Sequence, residues 1–259
     1  MNALTSLLNL PAHPINDAAY TERCRLQLAD SGALVLRGFL TPAALDIIKK
    51  EGEANQHLAF YAKSQHNVYL QKTDESLAAD HPRNRQVVSS KGCITDEEIP
   101  ADSPLRTLYD SGVFKAFLCR VLDEPELYPY ADSLSSINLH YAHQGQELGW
   151  HFDNSSFAIT LLIQKPEAGG VFEYVSHLRD AEAGEMNYDG VGKVLNGEQE
   201  VQKLEIEPGD LVLFRGRNAL HRVTPTEGDI TRMLVVLAWN ARPGIALSES
   251  ARMTFYGRL

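Results

Sequence analysis

The chain has 259 residues, of which 44% are hydrophobic and 22% are charged, a composition typical of folded globular proteins that excludes the disordered and fibrous classes. A net charge of −10 opposes sequence-independent attraction to nucleic acid or anionic membranes, and no apolar stretch approaches the roughly 20 residues that cross a bilayer. Three cysteines without a C-x-x-C pair indicate neither a disulfide framework nor a zinc knuckle and favour a cytoplasmic protein. We therefore expect no nucleic-acid or membrane partner, whereas a small-molecule substrate held in a local pocket is compatible with these properties.

The N-terminal part is predicted to run helix, strand, helix. Apolar residues at helical spacing predict a helix over Asn16–Ser31, and the short apolar segment Ala33–Phe39 follows it as a strand. Thr41 as N-cap and Pro42 at the first helical position mark the start of a second helix over Ala43–Glu53.

A long functional loop is predicted after these elements. Between Lys63 and Pro104 the periodicity fades, and the polar cluster Asp80–Arg85 interrupts the segment. Helical spacing returns from Leu105 to Leu122. A structureless stretch of this length in a compact domain is typical of a functional loop.

After about Tyr130 the pattern changes to short β-type runs that Gly, Pro and Asp separate. Such spacing predicts a sandwich or jelly roll. The expected fold class is α+β, with a double-stranded β-helix (jelly-roll, cupin-like) core buttressed by N-terminal helices. The predicted strands are Leu134–Ala142, Phe157–Gln164, Val171–Val175, Val201–Ile206, Asp210–Phe214 and Thr231–Trp239.

No linker or composition break divides the chain, and we expect one domain over residues 1–259. Within it, residues 1–130 are expected to give mainly helical support, 131–245 the jelly-roll core and 246–259 a C-terminal tail. The Glu- and Gly-rich segment Asp180–Glu200 interrupts the β region, either as a lid over a site or as a surface excursion.

The clearest chemical pattern begins with His151 and Asp153. On an extended segment, side chains two residues apart project from the same face, so this pair can hold one ion together. His221, just beyond the predicted strand Asp210–Phe214, is the third candidate ligand. Two histidines and one carboxylate form the facial triad of non-haem Fe(II) oxygenases and leave three coordination positions open.

Arg232 begins a predicted strand, and by alternation it shares a face with Leu234, Val236, Ala238 and Asn240. A guanidinium that points into a cavity needs an anionic partner. A dicarboxylate cosubstrate supplies one.

The sequence resembles the Fe(II)/2-oxoglutarate-dependent oxygenases. The signature of that family is H-x-D, then a distant His, then an Arg or Lys, and the corresponding residues here are His151-x-Asp153, His221 and Arg232. The four residues match it position by position. The resemblance implies iron held by His151, Asp153 and His221, with 2-oxoglutarate as cosubstrate paired with Arg232 and O2 as oxidant. Succinate and CO2 would be released as a substrate C–H bond is hydroxylated.

Over most of its length the chain also resembles the free-amino-acid radical halogenases and their hydroxylase relatives. The phrases that carry this resemblance are Asp80-His81-Pro82-Arg83, Gly169-Gly170-x-Phe172-Glu173-Tyr174 and Thr254-Phe255-Tyr256-Gly257-Arg258. Members that halogenate have Gly or Ala where this chain has Asp153, because the missing carboxylate opens a metal position for halide. The resemblance therefore implies a hydroxylase acting on a small polar substrate, a free amino acid.

Two further residues are candidates for binding the cosubstrate. Thr160 lies on the strand after Asp153, where its hydroxyl either donates to the cosubstrate carboxylate or simply reflects β-propensity. Asn138 shares a strand face with His140 and Ala142, and this face either lines a cavity or is solvated.

Candidate substrate contacts each have an ordinary structural alternative. Asn154 follows Asp153, but Asn-Ser-Ser is also common turn chemistry. The two arginines of the polar loop either bind a substrate carboxylate or are simply part of a solvated basic loop. Trp239 alternates to the face opposite Arg232, which favours core packing unless a bulge reverses it. The substrate-binding candidates are His140, Asn154, Arg83, Arg85, Asn240 and Trp239.

Two other functions stay open at this point. The same chemistry can act on a nucleoside, a carrier-bound acyl group or a protein side chain, and no acidic residue near Leu148 is placed to bind a side-chain ammonium, which argues against lysine. A jelly roll can also hold Zn or Ni without redox turnover, but a structural site needs no buried cation such as Arg232. The sequence leaves the oligomeric state open, a homodimer included.

Overall fold

The computed structural model describes residues 3–259. The longest helices have 14 residues, and within the described range no helix combines the length and the apolar character needed to cross a membrane. The helices are α1 (Ala3–Leu7), α2 (Ala18–Ser31), α3 (Pro42–Asn55), α4 (Pro104–Tyr109), α5 (Gly112–Leu122), α6 (Tyr188–Leu195) and α7 (Glu249–Tyr256). The strands are β1 (Ala33–Leu36), β2 (Phe60–Asn67), β3 (Gln86–Ile94), β4 (Ile137–Ala142), β5 (Leu148–His151), β6 (Ala158–Gln164), β7 (Ala168–Gly169), β8 (Phe172–Val175), β9 (Gln202–Leu204), β10 (Leu211–Phe214), β11 (Leu220–Val223), β12 (Thr226–Glu227) and β13 (Arg232–Leu237).

One antiparallel sheet contains all of these strands except β7 and β12, which pair with each other. Its order is β1-β10-β6-β13-β4-β3-β5-β11-β8-β9, and β2 also pairs with β3. The sheet curls into a half-barrel that the helices flank. The predicted α+β class with a jelly-roll core is confirmed.

The central strands bury their two faces differently. Leu139 and Tyr141 of β4 and Val235 of β13 point towards the N-terminal helices, a side we call the outer face, and share one large apolar core with α2, α3 and α5. By alternation, the residues between them point into the half-barrel, a side we call the inner face. The inner-face residues of β4, β6 and β13 are Asn138, His140, Ala142, Thr160, Leu162, Arg232, Leu234 and Val236.

The elements predicted from periodicity are present with small shifts at their ends. The helix α2 ends at Gly32, whose φ of 72° is the left-handed conformation of a C-cap, and Thr41 caps α3 as predicted. The predicted helix Leu105–Leu122 is two helices, because the Ser111 side chain accepts a hydrogen bond from the backbone of Phe114 and starts α5 anew. The six predicted strands correspond to β4, β6, β8, β9, β10 and β13.

The prediction of a long loop between Lys63 and Pro104 is wrong. The strand β3 and the end of β2 lie in this segment, and both strands join the main sheet. The region 1–130 therefore contributes strands to the half-barrel as well as helical support. Apolar alternation does not reveal β3 because two of its inward side chains, Ser89 and Lys91, are polar. A strand that lines a polar cavity lacks the period-2 signal of a strand on an apolar core.

The C-terminal tail closes one side of the half-barrel. Within it, α7 packs on β2 and β3. The hydroxyl of Tyr256 donates to Oδ1 of Asn138 at 2.9 Å, and Arg258 forms an ion pair with Glu98. The helix α7 therefore covers the inner face beside β3 and β4.

Candidate metal centre and cosubstrate pocket

His151 and His221 lie opposite each other on neighbouring strands. They are paired in register between β5 and β11, both are buried, and their ring centroids are 4.1 Å apart. The Nδ1 of His151 lies 2.8 Å from the carbonyl oxygen of Gly149, and the Nδ1 of His221 lies 2.9 Å from that of Ala219. Because a carbonyl only accepts, each Nδ1 carries a proton, and each Nε2 is the ring nitrogen that faces Asp153.

Asp153 completes the group from the loop after β5. Phe152 turns to the other side and enters an apolar cluster with Val68, so Asp153 returns to the side of His151 as the alternation predicts. Its Oδ1 lies 3.6 Å from Nε2 of His151 and 3.5 Å from Nε2 of His221. One ligand atom from each of the three residues thus lies within 4.8 Å of the others.

Gly216 makes room for the carboxylate of Asp153. Its carbonyl accepts the backbone N–H of Asp153 at 3.1 Å. A Cβ on Gly216 would stand 1.9 Å from Oδ2 of Asp153 and 3.0 Å from Cε1 of His221, so only glycine fits beside the ligands. Nothing in the local sequence marks this glycine, because the constraint comes from a residue far away in the chain.

The electrostatics of the group suit a divalent cation. Oδ2 of Asp153 is buried without a hydrogen-bond partner among the described residues. Burial by itself raises the pKa of Asp153, but His221 and His151 outweigh it and hold this pKa well below its ordinary value. Burial and the neighbouring His221 lower the pKa of His151. An ionised carboxylate beside a neutral imidazole is the protonation state that metal ligands need, and two nitrogens with one oxygen are the donor set of non-haem Fe(II) sites.

Arg232 lies on the inner face at the start of β13 and is buried. No acidic side chain in the described part of the chain forms an ion pair with it, and burial lowers its pKa to about 10. Gly170 leaves space for this side chain, since a Cβ there would stand 2.9 Å from Cδ of Arg232. A buried guanidinium without a counter-ion is costly unless a ligand carboxylate pairs with it.

The inner face connects Arg232 with the metal ligands. Thr160 is paired with Val236 of β13 on one side and with Val212 of β10 on the other. Phe214, on the same face of β10 as Val212, packs against His221 with ring centroids 4.9 Å apart. The surface between the metal ligands and Arg232 is therefore continuous, and Thr160 lies along it.

Comparison with known families agrees with this arrangement. A sequence model of the family described as HalD, Halogenase D, matches residues 16–253. The chain belongs to the Halogenase D family. Among curated protein sequences, none matches it.

Solved structures similar to this family member have the same fold. The carbocyclase SnoK from nogalamycin biosynthesis, a non-haem α-ketoglutarate-dependent enzyme, has a TM-score of 0.59 and 14% identity, with 92% of each chain covered. The epimerase SnoN in complex with Fe3+, α-ketoglutarate and nogalamycin RO has a TM-score of 0.55 and 14% identity over 86% of this chain and 84% of that one. A 2OG-Fe(II) oxygenase-family oxidoreductase from Burkholderia pseudomallei has a TM-score of 0.54 and 12% identity over 87% and 92%. The Halogenase D chain therefore has the Fe(II)/2-oxoglutarate oxygenase fold.

Asn138, which is predicted to bind the cosubstrate, forms its hydrogen bonds within the protein. Its Nδ2 donates to the carbonyls of Leu134 and Ile137 at 2.8 and 3.0 Å, and its Oδ1 accepts from Tyr256. Both amide hydrogens and the oxygen are thus occupied within the protein. The prediction is corrected on this point, because α7 supplies a partner that lies 118 residues away in sequence.

Trp239 does not reach the site either. Its ring stacks on Tyr109 with centroids 4.1 Å apart and planes 5° apart, and it lies in the outer core. The strand β13 keeps an unbroken register with β4 up to Leu237, so the shift in its pairing with β6 at Met233 and Leu234 does not turn Trp239 inwards. The backbone of Asn240 pairs with Tyr128, and its Nδ2 is buried without a partner in the described structure.

The two arginines of the polar loop have different surroundings. Arg85 donates to Oδ1 of Asn196 at 2.6 Å and to the last carbonyl of α6 at 2.9 Å. It therefore ties the loop to α6 through two of its guanidinium nitrogens. Arg83 uses one nitrogen for Gln71 and Lys72, whereas its Nη1 is buried without a partner in the described protein.

Arg179 is a residue near the site that the sequence analysis misses. Its guanidinium carbon lies 4.1 Å from the ring centroid of Phe152, the residue between two metal ligands, and 5.7 Å from that of Tyr69. Its Nε donates to the carbonyl of Arg217 at 2.8 Å. The Arg217 side chain in turn donates from Nη1 to the carbonyl of the exposed Asn154 at 2.8 Å. Only tertiary contact places Arg179 here, and its local sequence carries no chemical pattern.

The segment Asp180–Glu200 is docked against the site. Val191 and Val194 of α6 share an apolar cluster with Phe152, and the Tyr69 hydroxyl donates to the carbonyl of Met186 at 2.8 Å. The segment therefore covers the back of the metal-ligand strand. That the segment Asp180–Glu200 acts as a lid over the site remains a prediction.

Proposed function

We propose that this protein is an Fe(II)- and 2-oxoglutarate-dependent hydroxylase that acts on an unactivated C–H bond of a small polar substrate, a free amino acid. The observation that carries the proposal is a convergent group of His151, Asp153 and His221 together with a buried Arg232 that has no counter-ion. Three ligands alone make a metal site. The additional buried cation requires a carboxylate close to the metal.

Each of these residues has a defined task in the proposed reaction. Iron bound together with 2-oxoglutarate supplies the oxidising power for R–H + 2-oxoglutarate + O2 → R–OH + succinate + CO2. His151, Asp153 and His221 hold the metal from one side and leave the side towards the inner face open. Arg232 binds the distal carboxylate and orients the 2-oxo acid, and Thr160 donates its hydroxyl to the same group. The apolar inner-face residues between them exclude water.

Asp153 supports hydroxylation rather than halogenation. In the halogenases that the chain resembles, halide takes the metal position that a carboxylate otherwise fills. Here Oδ1 of Asp153 lies close to both Nε2 atoms, and Gly216 leaves the space that the carboxylate occupies. Membership of a family described as Halogenase D therefore does not imply that this protein is a halogenase.

Support for a small carboxylate-bearing substrate comes from two arginines beside Tyr69, whose ring packs against Phe152, the residue before Asp153. The guanidinium carbons of Arg83 and Arg179 lie 5.9 and 5.7 Å from the ring centroid of Tyr69. Nη1 of Arg83 is buried and unpaired in the described structure. Guanidinium groups bind carboxylates with fixed geometry, and Asn154 adds an exposed amide beside Asp153. A free amino acid presents the group that this cluster selects.

The other functions considered above have less support. A structural Zn or Ni site has no need of Arg232, and the net charge of −10 gives little support to a carrier-bound or protein substrate. The three free cysteines fit a reducing cytoplasm, and we place the protein there. We also propose that the chain forms one domain.

The decisive experiment measures succinate and substrate oxidation together by mass spectrometry. The protein is incubated with Fe(II), 2-oxoglutarate, O2 and a panel of free amino acids, with nucleosides as the comparison set. We expect succinate formation stimulated by particular amino acids and a product heavier by one oxygen atom. Slow succinate formation that is equal with every compound would contradict the amino-acid substrate, and metal binding without any succinate would contradict the oxygenase.

Two variants test the assigned roles within the same assay. Asp153→Gly is expected to abolish hydroxylation, and added chloride or bromide then tests whether halide enters the vacated position. Arg232→Ala is expected to raise the 2-oxoglutarate concentration required for half-maximal succinate formation. An unchanged requirement in Arg232→Ala would show that Arg232 does not bind the cosubstrate.

A further inference from the structure

A second cation, Lys91, points to the same inner face as Arg232. Gly92 and Cys93 of β3 pair with Tyr141 and His140 of β4. The preceding residue, Lys91, therefore lies beside Ala142, the residue that Arg232 faces from the other neighbouring strand.

The spacing between these two cations suits one small anion. Two strand spacings of about 4.8 Å separate the Cα atoms of Lys91 and Arg232, and Ala142 between them carries only a methyl group. Both side chains point to the inner face, and the Lys91 ammonium lies beside His140, two residues before Ala142. The register thus places one cation on each side of Ala142.

The Lys91 ammonium has no counter-ion in the described protein. Its Nζ lies 3.1 Å from Nδ1 and 3.2 Å from Nε2 of His140 and 5.7 Å from the ring centroid of Phe255. Burial lowers the pKa of Lys91, with Cys93 and Asp153 opposing this effect through their charges. Burial, Lys91 and Arg232 together lower the pKa of His140 well below its ordinary value, so His140 is a neutral group beside the Lys91 ammonium.

The position of Lys91 also relates it to the metal ligands. Asp153 lies close enough to influence the Lys91 charge, and α7 covers Lys91 from the outside through Phe255. Lys91 and His140 nevertheless keep some accessible surface, as residues that line an internal space do. A buried lysine next to a neutral histidine and a phenylalanine is not explained by the packing of the fold.

We propose that Lys91 is a second carboxylate-binding residue of the cosubstrate pocket and binds, with Arg232, the distal carboxylate of 2-oxoglutarate. This inference rests on the proposed function. The two cations bind the carboxylate from the two strands on either side of Ala142, and His140 lies beside the Lys91 ammonium. Lys91 is a binding residue in this assignment and has no part in proton transfer.

The test compares 2-oxoglutarate with 2-oxopentanoate, which keeps the 2-oxo acid end and lacks the distal carboxylate. Binding of each to the Co(II)-loaded protein is measured by titration calorimetry without O2. Lys91→Met is expected to weaken 2-oxoglutarate binding roughly ten- to hundredfold, the effect of one charge-assisted contact, and to change 2-oxopentanoate binding less than about twofold. Lys91→Arg keeps the charge and is expected to restore most of the affinity.

Lys63→Met is the matched control, because Lys63 lies on the adjacent strand β2 and its side chain is exposed. It is expected to leave both affinities unchanged. Unchanged 2-oxoglutarate binding in Lys91→Met, including the case in which only substrate binding weakens, would overturn the inference. An equal loss for both oxo acids would also overturn it, because the distal carboxylate would then not be the group that Lys91 contacts.

A variant of Arg232 gives the same answer even if Lys91→Met does not fold. If Lys91 shares the carboxylate, Arg232→Met still prefers 2-oxoglutarate over 2-oxopentanoate by about tenfold or more. If Lys91 does not contact the carboxylate, Arg232→Met keeps at most the roughly fivefold preference that the Thr160 hydroxyl supplies, and the inference fails. Wild-type protein that binds Co(II) but no 2-oxoglutarate would overturn the proposed function itself, whereas wild-type binding with no effect of Lys91 overturns this inference alone.

Discussion

The outer and inner faces of the same strands differ in whether their side chains find packing partners and counter-ions within the protein. On the outer face of β4, Leu139 and Tyr141 are at most 1% exposed and join the large apolar core. On the inner face of the same strand, His140 lies beside the Lys91 ammonium. Arg232 on β13 is buried without a counter-ion. The apolar side chains of the outer face find their packing partners within the protein. The buried charges of the inner face find counter-ions only when ligands bind.

This difference separates the residues that stabilise the fold from those that carry its chemistry. Apolar burial on the outer face contributes to the free energy of unfolding whether or not a ligand is present. Desolvated charges on the inner face oppose folding until a metal or an anion binds. Substitutions on the two faces are therefore expected to affect different measurements.

The largest expected effect is on stability, from Leu139→Ala on the outer face. Removing this fully buried side chain is expected to lower the free energy of unfolding by about 2–5 kcal/mol, measured by urea denaturation of the metal-free protein. The adjacent inner-face substitution His140→Ala is the control and is expected to cost less than about 1 kcal/mol. Equal losses for the two neighbours would contradict the division into a structural and a functional face.

Asp153→Asn should affect metal binding and leave the fold intact. Because it removes the charged ligand, we expect at least a roughly hundredfold loss of Co(II) affinity, beyond the range seen when supporting groups are removed. The free energy of unfolding of the metal-free protein is expected to fall by only about 1 kcal/mol, because the lost attraction between Oδ1 and the two imidazoles is offset by the easier burial of a neutral amide. Asp229→Asn, at an exposed position, is the control, and strong metal binding by Asp153→Asn would remove Asp153 from the site.

Gly216→Ala tests the space beside the metal ligands. The added methyl group would stand 1.9 Å from Oδ2 of Asp153, so the carboxylate must move, and metal affinity is expected to fall roughly ten- to hundredfold. Gly112→Ala serves as control because nothing lies within 4 Å of its Cβ position. Titration calorimetry with Co(II) measures both variants, and equal affinities would mean that Asp153 is not held where the structure places it.

Thr160→Val has the smallest expected effect. Loss of one hydroxyl donor is expected to weaken 2-oxoglutarate binding roughly fivefold, while the near-equal side-chain volume preserves the fold. Thr107→Val on the exposed surface of α4 should leave binding unchanged. If Thr160→Val binds 2-oxoglutarate as tightly as the wild type, Thr160 serves only the packing of β6.

Local sequence patterns predict a large part of this molecule correctly. Alternation predicts the strands that bear Thr160 and Arg232, and the cap residues Thr41 and Gly32 mark helix ends where the structure has them. Patterns fail for β3 because its inward side chains are polar. They also fail for Asn138, whose amide is occupied by α7, and for Arg85, which is tied to α6.

The sequence by itself determined the metal-ligand motif His151-x-Asp153, the charge of Arg232 and the β-rich core, because each depends on residue type and on spacings of a few residues. Only the tertiary structure decided that Gly216 gives space to Asp153, that Lys91 faces Arg232 across Ala142 and that Asn138 is satisfied by Tyr256. These relations join residues that are far apart in the chain. A polar group's hydrogen-bond partners and the space around it depend on which strands become neighbours, and strand pairing is a property of the whole fold.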